Sequence, residues 1–236
     1  MIPPISIIVP ALNEADNLDQ LLPDLARRWP WAEVVVVDGG SLDATARVLG
    51  RFPGVRRLST APGRARQMNA GARASRGEAL LFLHADTRLP DGALEAVAGA
   101  LADPAVIGGR FDLRFGSARA IMRVVAWLMN TRSRLSGIAT GDQTMFVRRP
   151  AFDATGGFPE IPLMEDVEFS RRLKRRGRIA CLRLRVTASA RKWEREGPIR
   201  TIILMWALRF LYFCGASPAR LHRWYYGTIP PPEHRP

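Results

Sequence analysis

The sequence predicts an α/β domain with a mostly parallel sheet flanked by helices, followed by a helical extension at its C-terminal end. Continuous apolar segments alternate with amphipathic segments through the first half, as expected for strands that crossover helices cover on both faces. The 236 residues, 47% of them hydrophobic, are enough for one large core and too few for two. We therefore expect one domain over residues 1–197 and an extension over residues 198–236.

Residue periodicity predicts the order of elements in the first half. Continuous apolar runs at residues 5–9, 34–37 and 79–83 predict buried strands. Apolar residues at helical spacing predict helices over residues 18–29, 44–49, 65–74 and 94–101. Pro23 falls inside the first of these helices, so we expect a kink there or a shifted helix start.

The pattern changes after residue 104. Residues 107–115 alternate, with Ile107 and Phe111 on one face and Arg110 and Asp112 on the other, which predicts a half-exposed strand. The elements predicted to follow are a helix over 121–128, a strand over 144–147, a basic helix over 167–176 and a strand over 182–186. Residue 104 is the expected border between two halves of the domain, 1–104 and 105–197.

The net charge of +13 is confined to the end of the chain. Residues 1–170 contain 19 acidic and 19 basic residues, whereas residues 171–236 contain 16 basic and 3 acidic ones. A nucleic-acid-binding protein rich in arginine would interleave basic residues with stacking aromatics on a recognisable module. The neutral first 170 residues carry no such motif, so we expect no nucleic acid partner.

Cysteine content and the N-terminal residues predict a cytoplasmic location. Cys181 and Cys214 cannot form a disulfide framework, which favours a reducing compartment. The N-terminal segment MIPPISIIVP has no basic lead and no cleavage site, so its apolar run is interpreted as a first strand rather than a signal peptide.

Polar residues follow three predicted strands at their carboxyl ends, where ligands bind in open α/β sheets. Residues 10–14 (PALNE) follow the first strand, residues 38–45 (DGGSLDAT) the second, and residues 84–86 (HAD) the fourth. Helix capping could explain Asn13, Ser41 and Asp43 individually. Capping does not explain polar residues at three strand ends in order, so we predict a ligand site at this edge of the sheet.

Four segments occur in a characteristic order, namely PALNE, VVDGGSLDAT, GRARQMNAGA and LFLHADT. Their order resembles the nucleotide-binding half of family 2 glycosyltransferases of the GT-A fold, over about residues 5–90. A looser similarity through GDQTMFVRR and LMEDVEFSRRLKRRG extends the resemblance to about residue 193. The forms HADT, GDQ and MEDVEFSRRLKRRG are also similar to a small bacterial subgroup of that family.

The resemblance implies transfer of a sugar from a UDP- or GDP-linked donor to a hydroxyl or phosphate of a lipid-linked or small-molecule acceptor. Residues 1–104 would bind the nucleotide and residues 105–197 the acceptor. Asp38 matches the family aspartate that accepts hydrogen bonds from the base or ribose. The other expected donor contacts in the first loop are Pro10, Ala11, Asn13 and Glu14.

A divalent cation and basic side chains are expected at the donor diphosphate. Asp86 matches the last aspartate of the family's DxD motif, which holds Mg²⁺ or Mn²⁺ against the phosphates, and carboxylate oxygen suits both ions. His84 stands where the family has its first acidic residue. It is either a donor contact through the ribose or a water, or a structural residue at a strand end. Arg64 and Arg66 either neutralise phosphate or face solvent.

The pair Glu165 and Asp166 matches the ED motif of the family. The resemblance implies that Asp166 is the general base that deprotonates the acceptor hydroxyl, with Glu165 as its helper, in an inverting reaction. Acidic residues in a first helical turn also stabilise the helix dipole, so a purely structural role is the alternative.

Three further residues are acceptor candidates. Gln143 belongs to the GDQ segment, and Arg191 and Trp193 follow the last predicted strand. The segment is partly similar to the (Q/R)xxRW signature of processive members, but its spacing differs, so we infer no processivity. Arg191 could also approach the diphosphate, and Trp193 could stack on an acceptor ring.

The apolar segment TIILMWALRFLYFC, residues 201–214, is shorter than the roughly 20 residues that a membrane-spanning helix needs. It is either a core or dimer-interface helix, or a helix that lies on a membrane surface. Nearby aromatic and arginine residues favour peripheral contact with the anionic inner face of the cytoplasmic membrane. These residues are Trp206, Tyr212, Trp224, Tyr225, Tyr226, Arg195, Arg200, Arg220 and Arg223.

A sugar-phosphate nucleotidyltransferase is the enzymatic alternative, because it shares the layout of strands and helices. Such an enzyme would need a glycine- and arginine-rich loop directly after the first strand. The segment PALNE is not such a loop, which disfavours this alternative.

Overall fold

Strands and helices alternate along the first half of the chain, as predicted. The computed structural model describes residues 3–227. The elements of the first half are β1 (Ile5–Ala11), α1 (Ala15–Arg28), β2 (Glu33–Asp38), α2 (Thr45–Gly50), β3 (Arg56–Ser59), α3 (Arg64–Ala74), β4 (Ala79–Phe82), β5 (Thr87–Arg88) and α4 (Ala93–Leu101). Those of the second half are β6 (Val106–Phe115), α5 (Ala120–Ser136), a 3₁₀ turn (Gly141–Gln143), β7 (Met145–Arg148), α6 (Arg149–Thr155), α7 (Glu165–Leu173), β8 (Arg178–Ala188), α8 (Arg191–Glu196), α9 (Pro198–Phe213) and α10 (Pro218–Tyr226).

The strands form one sheet in the order β3-β2-β1-β4-β7-β6-β8-β5. The first four strands of this order are parallel, β7 is antiparallel to both of its neighbours, and β6 and β8 are again parallel. The chain leaves β1 toward β2 on one side, whereas β4 pairs with β1 on the other. A topological switch point therefore lies between the carboxyl ends of β1 and β4, which is where α/β sheets bind ligands.

Helices cover both faces of the sheet. Apolar residues of α1, α2, α4 and α5 pack on one face with Ile7, Val9 and Leu81. Residues of α3, α6 and α7 pack on the other face with Ile8 and Leu80, where four phenylalanine rings form one cluster. This three-layer arrangement explains why β1, β2 and β4 are continuously apolar.

Helix α1 begins at Ala15, three residues before the predicted start, and includes Pro23, whose predicted kink stays a prediction. The side chains of Pro23 and Asp19 are both exposed, so the Asp19 carbonyl that loses its helical partner can bind water. The predicted exposed face of β6 is wrong, because Arg110 and Asp112 are buried and paired with each other. Alternation along the chain could not reveal that β6 lies between β7 and β8.

The C-terminal helices pack on the second half of the domain, residues 105–197. Leu208 of α9 and Leu221 of α10 are buried against Ile138, Met164 and Val167. Only part of each helix is covered, and α9 leaves a row of large apolar side chains exposed. Among residues 3–227, no helix is long and apolar enough to cross a membrane. Residues 228–236 of the predicted extension lie outside the described residues.

Candidate active site

A cavity of about 840 Å³ opens at the topological switch point. Its walls come from the loops after β1 and β4, the start of α3, the inner face of α5, the 3₁₀ turn, the start of α7, and helices α9 and α10. Most of the predicted site residues line it, namely Pro10, Ala11, Glu14, Arg64, Arg66, His84, Asp86, Glu165, Asp166 and Trp193. A neighbouring recess contains Asn13 and Arg191, together with Glu14 and Asp86.

The loops after β1 and β2 are tied to each other by side-chain hydrogen bonds. The Asn13 N–H donates to Ser41 Oγ at 2.8 Å, and Asn13 Oδ1 accepts from the Leu42 N–H at 2.8 Å. Asn13 has a φ of 56°, a left-handed conformation that asparagine tolerates better than most residues. Asp38 Oδ1 accepts from both the Ser41 N–H and Ser41 Oγ. Asn13 and Asp38 therefore form part of the loop framework, and neither lines the main cavity.

The capping interpretation of Asp43 agrees with its contacts. One carboxylate oxygen accepts from the Ala15 N–H at the start of α1, and the other accepts from the Thr45 N–H at the start of α2. A hydrogen bond from the Thr45 side chain, together with these two backbone hydrogen bonds, lowers the pKa of Asp43, because all of them favour its charged form. Asp43 thus fixes the starts of two helices beside the recess.

Glu14 and Asp86 bring two carboxylates to the border of the recess and the cavity. Burial and the negative charge of Asp86 raise the pKa of Glu14, and a hydrogen bond from Asn17 partly offsets this rise. A divalent cation would relieve this repulsion, and carboxylate oxygens suit Mg²⁺ or Mn²⁺ when phosphate and water complete the shell. Among residues 3–227, no group of three or more His, Cys, Asp and Glu side chains could hold a metal by itself. The donor set therefore fits a cation that the substrate helps to bind.

Arg191 lies in the recess, beside Asn17. Its Nη2 donates to Asn17 Oδ1 at 2.9 Å, and its charge lowers the pKa of Glu14 against the effect of burial. It lines the recess with Glu14 and Asp86 rather than the main cavity.

His84 lies in the loop after β4, against the 3₁₀ turn. Its Nδ1 lies 3.7 Å from Asp142 Oδ1, and its Nε2 is buried without a hydrogen-bond partner among the described residues. Burial and the nearby Arg64 charge lower its pKa to about 3, so the imidazole is neutral at physiological pH. A side chain at Gly141 would approach within 2.6 Å of the His84 ring, so the HADT and GDQ segments pack together only with glycine at this position.

Glu165 and Asp166 open α7 directly at the cavity, as the sequence predicts. Asp166 Oδ2 accepts from the Gly141 N–H at 2.9 Å, and its Oδ1 accepts from the Val167 N–H at 2.7 Å. Each oxygen keeps a second acceptor position. The GDQ and ED segments, distant in the sequence, are therefore joined through one carboxylate.

Glu165 is held in a less polar position than Asp166. Its side chain is buried, and Oε1 lies 3.6 Å from Nη1 of Arg64. Burial, together with the negative charge of Asp166, raises the pKa of Glu165 toward neutrality, although Arg64 opposes this rise. The charged form of Glu165 is therefore destabilised in the folded protein.

We expect Glu165→Gln to stabilise the protein at pH 8 and to have less effect at pH 5. The pKa of Glu165 lies above its ordinary value of 4.5, so wild-type stability should fall as pH rises from that value through neutrality. A tenfold difference in acidity between the folded and unfolded protein corresponds to about 1.4 kcal/mol of stability, and glutamine removes this dependence on pH. Urea unfolding at several pH values measures the difference. The exposed Glu78→Gln variant is the control, and a Glu165→Gln effect independent of pH would contradict the prediction.

The remaining candidates differ in position. Arg66 donates to Glu160 Oε2 at 3.2 Å, and both side chains line the cavity. Trp193 also lines it, with its ring packed edge-on to Phe115 at 5.5 Å between ring centroids. Gln143 is fully buried, its Oε1 accepts from the Thr140 N–H at 3.3 Å, and it is not among the residues that line the cavity.

Sequence reasoning did not assign several cavity residues to the site. Helices α9 and α10 provide much of one wall, through Trp206, Arg209, His222, Tyr225 and Tyr226. Arg132 contributes from α5, where Val125, Met129 and Arg132 lie at helical spacing on the cavity side. That spacing is the one signal in the sequence that could have indicated Arg132.

The switch-point cavity, with Asp86 in the loop after β4 and Asp166 at the start of α7, lies in a sheet of the GT-A glycosyltransferase fold. The family model described as Glycosyl transferase family 2 matches residues 6–156. The chain belongs to this family.

Solved structures and one curated protein are similar to the chain. A TarS structure from S. aureus (residues 1–349) has a TM-score of 0.63 and 20% identity, covering 79% of this chain and 60% of that chain. The mannosyltransferase PcManGT from Pyrobaculum calidifontis, in complex with GDP-Man and Mn²⁺, has a TM-score of 0.62 and 23% identity, covering 79% and 57%. These likenesses confirm the predicted fold. Uncharacterized protein MT1568 of Mycobacterium tuberculosis is 27% identical, and the match covers 75% of this chain and 64% of that relative's length.

Proposed function

We propose that the protein is a metal-dependent, inverting glycosyltransferase that uses a UDP- or GDP-linked sugar. The acceptor is a hydroxyl or phosphate of a lipid-linked or small molecule. The observation that carries this proposal is the shared cavity, which contains Asp86 on the donor side and Asp166 on the acceptor side. TarS structures with UDP or UDP-GlcNAc, and PcManGT with GDP-Man and Mn²⁺, support the choice of donor and cation.

Asp86 would hold the cation, with Glu14 beside it. When bound, Mg²⁺ or Mn²⁺ supplies positive charge where the leaving diphosphate becomes more negative. Arg191 and Arg64, at the recess and the cavity, would bind the same phosphates. The loop framework of Asn13 and Asp38 would place the base and ribose at the edge of the sheet.

Asp166 would accept the proton of the acceptor hydroxyl. Hydrogen bonds from the Gly141 and Val167 N–H groups fix the orientation of its carboxylate. Attack on the anomeric carbon from this side, opposite the diphosphate, would invert its configuration. Glu165 would support the site by holding Arg64 at the cavity wall.

A thermal-shift panel of nucleotide-sugars, with and without Mn²⁺, tests the proposed activity. A ligand at 100 times its Kd stabilises the protein that binds it by about 2.7 kcal/mol. We expect a UDP- or GDP-linked sugar to raise the Tm only when Mn²⁺ is present. An unchanged Tm with every donor would contradict the proposal.

The exposed face of α9 would bind an anionic membrane surface. Ile199, Ile203, Trp206, Phe210 and Phe213 are 59–68% exposed and recur every three or four residues, which places them on one helical stripe. Exposed arginines of α9 and α10, Arg200, Arg220 and Arg223, lie nearby in the sequence. Trp206 also lines the cavity, so a lipid-linked acceptor would enter beside the membrane.

We expect the double variant Phe210→Ser/Phe213→Ser to lose more than tenfold in affinity for anionic vesicles, since each buried phenylalanine contributes about 1.5–3 kcal/mol. Neither residue lines the cavity, so donor binding should be unchanged. Trp31→Ser, which removes an exposed aromatic in the turn before β2, is the matched control. Co-sedimentation with anionic and neutral vesicles measures the effect. Equal binding to both vesicle types, or by wild type and the double variant, would contradict membrane contact.

A further inference from the structure

Arg132 has an unusual environment within the cavity. Two nitrogens of its guanidinium group, Nε and Nη2, are buried and have no hydrogen-bond partner among residues 3–227. Arg110, buried nearby, instead donates to the Asp112 carboxylate and to the Asn130 carbonyl at 3.1 Å. Leaving a buried charged donor without a partner costs more than leaving a neutral one.

The charges of neighbouring carboxylates act on this guanidinium group, but its Nε and Nη2 donate no hydrogen bond to them. Burial lowers the pKa of Arg132 to about 10, even though the charges of Asp166 and Asp142 raise it. The group therefore remains positively charged at neutral pH. Asp166 accepts hydrogen bonds from the Gly141 and Val167 N–H groups, and neither Nε nor Nη2 of Arg132 donates to its oxygens. Arg132 thus has donors available for a molecule that enters the cavity.

Arg132 lies beside the proposed base. It lies near the end of α5, which packs against α9, and it faces the same cavity as Asp166, whose charge acts on its guanidinium group. Arg191 lines the recess and not this cavity, whereas Glu14 and Asp86 line both. Because Asp166 is the proposed base for the acceptor hydroxyl, a group bound by Arg132 beside it would be part of the acceptor.

We infer that Arg132 is the centre of an anion-binding subsite on the acceptor side, and that the acceptor carries a phosphate or similar oxyanion. This inference rests on the proposed transferase function. The planar guanidinium fork can donate two parallel hydrogen bonds to an oxyanion, which gives both affinity and orientation. A group anchored in this way would hold the acceptor hydroxyl toward Asp166.

Isothermal titration with inorganic phosphate tests the subsite while a nucleoside diphosphate and Mg²⁺ saturate the donor site. We expect the wild-type protein to bind phosphate under these conditions and Arg132→Gln to bind it roughly 10- to 100-fold more weakly. Arg132→Lys keeps the charge without the fork, so an intermediate affinity is expected. Arg123→Gln removes an exposed arginine from the same helix and should bind phosphate as the wild type does.

Thermal stability separates a binding role from a structural one. Without ligand, Arg132→Gln should be at least as stable as the wild type, because it removes an unpaired buried charge. Phosphate should raise the Tm of the wild type and leave that of Arg132→Gln unchanged. A loss of stability without ligand in both Arg132→Gln and Arg132→Lys would assign the residue to the fold and overturn the subsite.

Titration with glycerol phosphate tests a soluble source of the anion. Binding to vesicles that contain phosphatidic acid tests a membrane source. Weaker binding by Arg132→Gln to either ligand supports the subsite and identifies its source. Unchanged binding to both ligands, or phosphate binding that disappears when the donor site is saturated, would overturn it. Binding of the nucleoside diphosphate is measured in the same titrations, so failure of the proposed transferase function would be seen separately.

Discussion

Asp166→Asn is expected to lower the rate of sugar transfer by 10²- to 10⁴-fold and to leave donor affinity nearly unchanged. A positioned general base contributes a factor of this size, and asparagine keeps the shape of the side chain but not its basicity. Asp166 is not among the proposed donor contacts, most of which lie around the recess and in the loop after β4. Arg64 is the proposed donor contact nearest to α7, and it pairs there with Glu165 rather than with Asp166. Release of nucleoside diphosphate at saturating donor, with water or added acceptor, measures the rate.

A purely structural Asp166 would give a different result. Its oxygens accept from the Gly141 and Val167 N–H groups, and asparagine can accept with one oxygen only. The structural role alone therefore predicts a stability loss of about 1 kcal/mol with an unchanged rate per folded molecule. Asp153→Asn, an exposed substitution in α6, is the control. A wild-type rate in folded Asp166→Asn would leave the base unidentified.

Asp86→Ala is expected to weaken metal-dependent donor binding by on the order of 100-fold or more. The substitution removes the carboxylate proposed to hold the cation, and the cation contributes several kcal/mol of charge stabilisation at the phosphates. Glu14 should titrate at lower pH in this variant, because the Asp86 charge helps to raise its pKa. Titration of UDP and GDP with and without Mn²⁺ measures the loss.

Asp91→Ala is the matched control for this experiment. Asp91 is an exposed aspartate shortly after β5, paired with Arg28 at 3.1 Å and absent from the cavity walls. The Asp91→Ala variant should bind the donor as the wild type does. If Asp86→Ala and the wild type bind the donor with the same metal-dependent affinity, other residues hold the cation.

The recess at the edge of the sheet could be predicted because it depends on the order of strands along the chain. Apolar runs predicted β1, β2 and β4, and parallel strands bring their carboxyl ends to one edge of the sheet. The segments after β1 and β4 therefore had to meet, and Glu14 and Asp86 do line one recess. Family resemblance supplied Asp166, which is distant in the sequence, and its role as base stays a prediction.

The cavity wall formed by α9 and α10 could not be predicted in the same way, because it depends on packing between helices that are distant in the sequence. Nothing local indicates that Trp206 and Tyr225 turn toward the site when α9 and α10 pack on α5 and α7. The prediction for β6 was wrong because it assumed that a charged residue faces solvent. Arg110 is fully buried, where it pairs with Asp112 and donates to the Asn130 carbonyl. Charged side chains are buried when ion-pair or hydrogen-bond partners satisfy them. When those partners come from other elements, the periodicity of the strand does not indicate them.

The most direct test of the proposed function is proton NMR of a nucleotide-sugar donor during turnover with Mg²⁺. The enzyme should release nucleoside diphosphate and transfer the sugar with inverted anomeric configuration, which the coupling constant of the anomeric proton reports before any free sugar equilibrates. Asp166→Asn should leave the donor intact over the same period. Release of a sugar with retained configuration would contradict direct attack assisted by Asp166, and an unchanged donor with the wild-type enzyme across UDP- and GDP-linked sugars would contradict the proposed activity.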